Sequence, residues 1–556
     1  MSSQNYQTKE CDVLIIGGGG SGVIASIEAS EHEGLKVILA SKGPIGQSGL
    51  TPTANGGTRA VGSVDEIFKE AITGGSFLND QNIVWHMVNE IQNSLRKLEQ
   101  FGVTATPLSP KSVCVPGVET SKKLRNIVIK RPNFELLEDV LITSLIVSDG
   151  EIAGATALEI RTGHFFVIQA TAVVIATGGL VGELYPHTSN NPFGITTGAS
   201  GTGHVMAYLA GAELIDMEMI QFVPLPANPR CLHLRYFPEF WIGPYLNCRG
   251  DVIESNASVY QGGSYSYLFT QKLFKELKKG NGPIYIDHRG LNYIDHPVFE
   301  KAIPYLSARS FEGRRKLIKS LGIDPRENKI EIIIGSHFGM GGIRVNEKTE
   351  TTLLGLYAAG EVMGGVHGGM RLPAYSFSQM VVFGFEAGKQ AADYTQEGKK
   401  SGGVSLRHIE LEKERVFRFL EPKSNPISTT ELRKQLQHVM QDYVFIVRDK
   451  NGLVEAIKQI RTIRKNIPRV CVPAFKRFNL EWLRAVEFSS MVEAAEIIAE
   501  SALAREESRG SHYRRDFPEK DDEKWLRHTV AKLEGGHLAI DSAPVVLDRM
   551  KPEVWT

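Results

Sequence analysis

Gly17, Gly19 and Gly22 constrain this chain more than any other residues. They follow Val13-Leu-Ile-Ile16, a short apolar run after the polar Asp12, which predicts a strand buried on both faces. They precede Ile24 to Ser30, which reads as a helix. At a strand-to-helix junction the first glycine of such a G-x-G-x-x-G permits a tight turn, and the second lets backbone approach a pyrophosphate. The third lets helix pack on strand, so that phosphates meet the positive helix end. Gly20 and Ser21 complete the loop. Leu35 to Ala40 predicts a second strand at the distance a βαβ unit requires. An α/β fold with a parallel, dinucleotide-binding sheet follows.

An acidic residue that would hold a nicotinamide cofactor's ribose is expected at the end of the second strand. Ala40-Ser41-Lys42 stands there instead, which argues against a plain nicotinamide dehydrogenase. A second glycine-rich stretch follows at once, Gly46-Gln-Ser48-Gly49 and then Ala54-Asn-Gly56-Gly57. A large cofactor lying across the sheet needs such backbone access, because side chains would block it.

In these motifs the chain resembles the flavoprotein family of succinate dehydrogenase, fumarate reductase, L-aspartate oxidase and adenylylsulfate reductase. Four further blocks carry the resemblance in the same order. They are Ala176-Thr177-Gly178-Gly179; Ser336-His-Phe-Gly-Met-Gly-Gly-Ile343; Thr352 to Glu361, reading TLLGLYAAGE; and Ser508 to Pro518, reading SRGSHYRRDFP. The resemblance implies a Rossmann-like, discontinuous FAD-binding domain with an inserted α+β capping domain and a C-terminal helical domain. Residues 1–222 and 336–401 would form the FAD-binding domain, 223–335 the cap, 402–520 the helical domain and 521–556 the tail. Implied FAD contacts are Gly17, Gly19, Gly20, Ser21, Gly22, Ser41, Lys42, Ser48, Gly49, Gly56, Gly57, Thr177, Gly178, Gly179, Glu361, Ser376 and Phe377. Relatives that bind flavin covalently use a histidine just before the A-x-G-G loop. Leu50 occupies that place and has no nucleophilic nitrogen, so non-covalent FAD is expected.

A chain of 556 residues exceeds one ordinary core, in keeping with several domains. Lys plus Arg equals Asp plus Glu at 63 each, so no net field recruits nucleic acid. The five cysteines, Cys11, Cys114, Cys231, Cys248 and Cys471, include no C-x-x-C pair, and no metal site is expected. No apolar run reaches membrane-spanning length, and a cytoplasmic protein is expected, at most peripheral in a larger complex. Helices are predicted over 65–73 and 82–101, strands with a turn at Ser148-Asp-Gly150 over 126–153, and a hairpin around Arg161-Thr-Gly163. Further helices are predicted over 200–214, 267–279 and 296–321, and 404–503 reads as almost all helix, with amphipathic elements at 406–418 and 429–448.

For chemistry, the resemblance implies that His337 and Arg371 hold a small anionic substrate. Arginine offers a planar fork of donors suited to carboxylate, sulfate or phosphate. His367, in a glycine-rich loop beside Arg371, is an added acid–base candidate. Arg509 and His512 are expected to brace the site. Arg235, Trp241, Arg249, Tyr265 and Tyr375 read mainly as packing or solvated residues. Several family features are absent. Val223 replaces the histidine of Q-F-H-P, the E-G-x-R-G-E-G block is not recognisable, and Ser266-Tyr267 stands where the proton-delivering R-D pair belongs. His204 stands where the family has the aspartate of T-G-D-G. The resemblance therefore implies a flavoprotein subunit passing electrons between FAD, a small anion and an iron–sulfur partner. Fumarate reductase or succinate dehydrogenase proper, an adenylylsulfate-reductase-like enzyme and a stand-alone L-aspartate-oxidase-like enzyme remain alternatives.

Overall fold

The computed structural model describes residues 6–54, 56–189, 199–227, 244–254, 263–287, 289, 327–399 and 402–552. The first strand, β1 (Gln7–Ile16), runs into α1 (Gly20–Ala29) and returns as β2 (Val37–Ser41). Helix α1 begins four residues earlier than its apolar pattern suggests, because the last glycine of the motif lies inside the first turn. A small antiparallel sheet, β3 (Gly57–Arg59), β4 (Thr106–Ser109) and β5 (Ser112–Cys114), surrounds α2 (Val64–Gly74) and α3 (Gln81–Gln100) in the sequence. Ser63 and Glu66 form a reciprocal cap on α2. Helix α4 (Gly117–Val128) occupies residues expected in part to be strand. Its turn signals are weak, and its packing against α1 and the 51–53 turn decides the conformation.

Strands β6 (Phe134–Glu138), β7 (Val140–Ser148), β8 (Glu151–Glu159) and β9 (Phe165–Ile175) complete most of the main sheet. Its order is β6-β2-β1-β9-β8-β7, and β17 (Leu356–Ala358) pairs on β9. Strands β6, β2, β1, β9 and β17 are mutually parallel, while β7, β8 and β9 form an antiparallel meander. Val13, Leu14 and Ile15 are fully buried, as their unbroken apolar run requires.

Helix α5 (Thr202–Leu209) is shorter than expected; Leu214–Ile215 is instead β10, paired with the C-terminal strands. A second, antiparallel sheet takes the order β11-β15-β14-β12-β13, from β11 (Ile220–Pro226), β12 (Tyr245–Leu246), β13 (Val252–Glu254), β14 (Ile284–Ile286) and β15 (Ile330–Gly339). Helix α6 (Gly263–Lys278) packs on β11. Strands β11 and β15 run unbroken through positions 222/223 and 335/336, where the cap was expected to begin and end. The expected helix over 296–321 lies outside the described residues.

β16 (Gly342–Ile343) precedes β17 and joins β10 at the edge of a third sheet. Helix α7 (Tyr375–Gln396) packs on α1; a Cβ at Gly388 would lie 2.3 Å from the Ala25 carbonyl oxygen, so two bare backbones set the closeness of this contact. Four helices follow, α8 (Leu406–Phe417), α9 (Thr429–Tyr443), α10 (Lys450–Asn466) and α11 (Leu480–Ala504). Then come α12 (Asp522–Trp525), β18 (Arg527–Glu534) and β19 (His537–Pro544). Among the described residues no helix is long and apolar enough to cross a membrane.

Candidate functional site

The glycine loop is held mainly by backbone, with Thr51 Oγ1 accepting from the Gly20 N–H (3.0 Å). The Gly17 N–H donates to the Ala40 carbonyl (2.8 Å), and the Ala176 N–H to the Ile16 carbonyl (2.8 Å), tying the loop to both neighbouring strands. A Cβ on Gly22 would sit 1.8 Å from the Gly17 oxygen, and one on Gly17, whose φ is +119°, would sit 2.3 Å from the Ala176 oxygen. Those two glycines answer to the protein's own packing. Gly19 does not: a Cβ there would meet nothing closer than Thr51 Oγ1, at 4.0 Å. Gly178 has no atom within 4 Å of that position either. A cleft lined by Gly19, Gly20, Val23, Gly46, Ser48 and Thr51 opens at the N-terminal end of α1. Backbone N–H groups at a positive helix end suit a pyrophosphate.

After β9 and β17 lie polar atoms without hydrogen-bond partners. Thr177 Oγ1 and Glu361 Oε1 are buried and accept or donate nothing. Glu361 stands over Gly179, where a Cβ would lie 2.2 Å from its Oε1. Burial, opposed by the Arg371 cation, lifts its carboxyl to about 7. Buried polar atoms are normally satisfied, so two orphans beside a groove mark a place where a ligand's hydroxyl groups belong.

Beyond Glu361 lies a second pocket, built from side chains. Arg371 is 8% exposed and His337 9%, and Arg371 Nη1 lies 3.3 Å from His337 Nε2. The same Nη1 donates to Gln221 Oε1 (3.4 Å), and Arg371 Nε donates to Ser376 Oγ. Gln221 Nε2 returns a bond to the Arg371 carbonyl (3.3 Å). The guanidinium lies over the Phe338 ring, 4.9 Å from its centroid. On the other side His337 Nδ1 lies 2.6 Å from Ser189 Oγ. A buried guanidinium is suited to an anion.

Residues 12–377 match the family described as FAD binding domain, and residues 433–555 match the fumarate reductase flavoprotein C-terminal family. The chain is 34% identical over 559 residues to a subunit of the fumarate reductase (CoM/CoB) of Methanothermobacter marburgensis, covering 95% of this chain and 97% of that one. It is 30% identical over 600 residues to the fumarate reductase flavoprotein subunit of Mycobacterium tuberculosis, covering 98% and 99%. The FrdA chain of E. coli quinol fumarate reductase superposes with a TM-score of 0.85 at 26% identity, with 98% of each chain covered. This chain belongs to the fumarate reductase/succinate dehydrogenase flavoprotein family. It is an FAD-dependent oxidoreductase.

In the flavoprotein the residues that line the groove fit FAD: open backbone at Gly19 and Gly178 for phosphates, and Thr177 and Glu361 for the chain between flavin and nucleotide. Ser41 packs beside the loop, its Oγ 2.6 Å from where a Gly18 Cβ would be. Ser48 Oγ donates to the Pro44 carbonyl (2.8 Å) and shapes the turn before Gly49, whose φ is +78°. Gly56 lies against Val115, where a Cβ would be 1.7 Å from the carbonyl oxygen. Lys42 pairs with Glu487 of α11 (2.5 Å), so its charge is compensated by the helical region. Ser376 turns toward Arg371 and therefore belongs to the side-chain pocket, while Phe377 is buried at the start of α7.

His367, the added acid–base candidate, has one ring nitrogen held by a side chain. Gln379 spends its amide N–H on the Gly360 carbonyl (3.0 Å), so its Oε1 must accept from His367 Nε2 (2.9 Å). Burial, with Arg371 nearby, drives the imidazole down to about 3, which keeps it neutral at physiological pH. His367 instead packs edge-on against Phe338 (5.1 Å), the ring beneath Arg371. His204 is fully buried with neither ring nitrogen partnered, and burial lowers it to about 3. Tyr375 donates to the Ile67 carbonyl (3.1 Å) and is structural. Arg249 is exposed. Arg235 and Trp241 and the side chains of Tyr265 and Ser266 lie outside the described residues.

The late block holds the loop that carries His367 and Arg371. The Ser511 N–H donates to the Gly369 carbonyl (2.8 Å), and Arg509 Nη1 donates to the Ser76 carbonyl (3.0 Å). Arg448 Nη1 donates to His512 Nδ1 (2.8 Å), which must accept because a guanidinium has no lone pair to offer. Behind them Arg505, fully buried, meets Glu218 (2.6 Å), Glu507 (2.9 Å) and Asp216 (3.4 Å). The sequence reading missed Ser189, Gln221 as a partner of Arg371, and this charge cluster. Only the density of arginine in 505–515 hinted at the last.

Proposed function

We propose that the flavoprotein passes electrons between non-covalently held FAD, a small anionic substrate bound at Arg371 and His337, and an iron–sulfur protein partner. The observation that carries this reading is the Arg371–His337 contact at 3.3 Å in a buried pocket next to Glu361. Bound FAD supplies hydride and single-electron chemistry; the chain's own residues bind and orient the anion and exclude water. The stretch before the glycine loop, Leu50 to Thr53, offers no histidine for attachment to the flavin. The partner is inferred from two supports. The relatives at 34% and 30% identity are named as subunits, and the cysteines of this chain are scattered, with those described all free. The assembly would work in the cytoplasm or at a membrane surface.

With Val223 and Ser266 in place of the family's histidine and proton-delivering arginine, turnover does not use the usual arginine shuttle. Fumarate itself is the second reading, favoured by the names of the relatives. Anaerobic flavin absorbance, followed with a panel of anionic donors and acceptors, separates the two. Turnover with fumarate at least as fast as with any other anion would replace the first reading by the second. Acid precipitation should leave yellow cofactor in the supernatant; colour pelleting with the protein would disprove non-covalent binding.

A further inference from the structure

Between α10 and α11 the chain reads Val472-Pro-Ala-Phe475-Lys-Arg-Phe478-Asn-Leu480, and every residue from Pro473 to Phe478 is exposed. Phe475 is 58% exposed, Phe478 62% and Leu480 56%. Among the described residues no other window of this length gathers three such large apolar side chains. Single exposed apolar residues are ordinary; three at one tip are not. The loop is held in this shape from within. Asn479 is buried; its Oδ1 accepts from the Trp482 N–H (3.1 Å), and its Nδ2 donates to the Pro473 and Phe475 carbonyls (2.7 Å each). The Phe478 N–H donates to the Ile160 carbonyl (3.0 Å), and a Cβ at Gly163 would lie 2.5 Å from the Lys476 Cβ. The loop therefore lies against the hairpin between β8 and β9. Phe478 has φ +49°, a left-handed conformation that a bulky side chain rarely adopts and that asparagine takes more easily.

Lys476 and Arg477 stand between the two rings. Lys476 Nζ lies over the Phe417 ring (4.9 Å), and among the described residues neither cation meets a carboxylate. The neighbouring acids have partners of their own: Asp139 pairs with Arg161 (2.6 Å) and Glu481 with Arg484 (2.9 Å), while Glu159 accepts from the Thr162 hydroxyl. With Glu159 counted against Lys476 and Arg477, the tip keeps a net positive charge.

We propose that the 473–480 loop anchors the flavoprotein reversibly to an anionic lipid surface. The Phe475 and Phe478 rings enter the boundary between head groups and acyl chains, and Lys476 and Arg477 meet lipid phosphates. The eight residues of this tip fall short of the roughly 20–30 residues a side that a stable protein interface uses. A bilayer needs no matching pocket, only apolar area and opposite charge. The anchor does not depend on the anion-site reading above.

Sedimentation of the FAD-loaded protein with phosphatidylcholine vesicles, with and without an equal part of phosphatidylglycerol, tests this. Wild type should bind the mixed vesicles at least about tenfold more tightly than phosphatidylcholine alone, and added salt should weaken that binding. Lys476→Ala with Arg477→Ala should lower affinity for the mixed vesicles by about thirtyfold. Phe475→Ser with Phe478→Asn should lower it by about tenfold or more. Asparagine accepts the left-handed backbone at 478, so Phe478→Asn alone should leave the melting midpoint at or above the wild-type value. A fall in affinity there reports the lost ring and not a lost fold. Affinity unchanged by either pair of substitutions, or equal on both kinds of vesicle, would overturn the inference. Wild type that ignores the mixed vesicles but pairs with a second copy only while Phe475 and Phe478 are intact would overturn it too, and assign the loop to a protein interface.

Discussion

The two ends of the cofactor groove are built from different materials. At the glycine loop the working groups are backbone, supplied by one contiguous stretch from Gly17 to Gly22 and its strand neighbours. At the anion pocket they are side chains from four separated segments, Ser189, Gln221, His337 with Phe338, and Arg371 with Ser376. At Gly17 and Gly22 the backbone site tolerates no added atom, because each is set against another peptide. A side-chain site tolerates exchange, because each group is held by a few bonds. Cofactor recognition and substrate recognition can therefore diverge within one chain.

The largest test strikes the backbone end. Gly22→Val forces a side chain to within 1.8 Å of the Gly17 carbonyl oxygen. The cost, roughly 4–5 kcal/mol or more, should abolish FAD retention, measured as flavin per protein after purification. A variant with full flavin would show the loop to be pliant and erase the contrast. Next comes the side-chain end. Arg371→Ala should keep near-stoichiometric flavin but lose turnover with the anionic substrate by roughly 2–5 kcal/mol of transition-state stabilisation. Loss of flavin together with activity would mean that the two ends are one site.

The smallest effect falls on the residue between them. The Glu361 carboxyl ionises near pH 7 in the folded protein against 4.5 for the ordinary side chain, because burial disfavours its charge. Between those values the folded state holds the proton and the unfolded state releases it. Its contribution to stability is thus complete below about pH 4.5 and is lost as pH rises through about 7. In the apoprotein, urea unfolding should show Glu361→Gln gaining about 1 kcal/mol relative to wild type on going from pH 5 to pH 6. A constant difference across that range would place Glu361 in water rather than in the groove.

What could be read from the chain alone follows the same division. The strand–glycine–helix motif, the parallel sheet and the FAD assignment were legible because they depend on residues near each other in sequence and on the absence of side chains. The same reasoning placed helices 81–100 and 406–417 close to their observed limits, where apolar residues recur at helical spacing. It failed at α4, where packing on α1 and the 51–53 turn overrode a weak local signal, and beyond Leu209, where pairing with a distant strand did. Nor did the setting of His367 among glycines reveal its surroundings. Only the fold shows Gln379 holding it, twelve residues on in sequence. Nothing local links Ser189 to His337 across 148 residues, or Arg505 to Glu218 across 287. Hydrogen-bond direction and burial are properties of a closed structure, so the amino-acid sequence by itself determined the cofactor and its cradle. The tertiary structure decided which side chains gather around Arg371 and which hold the frame.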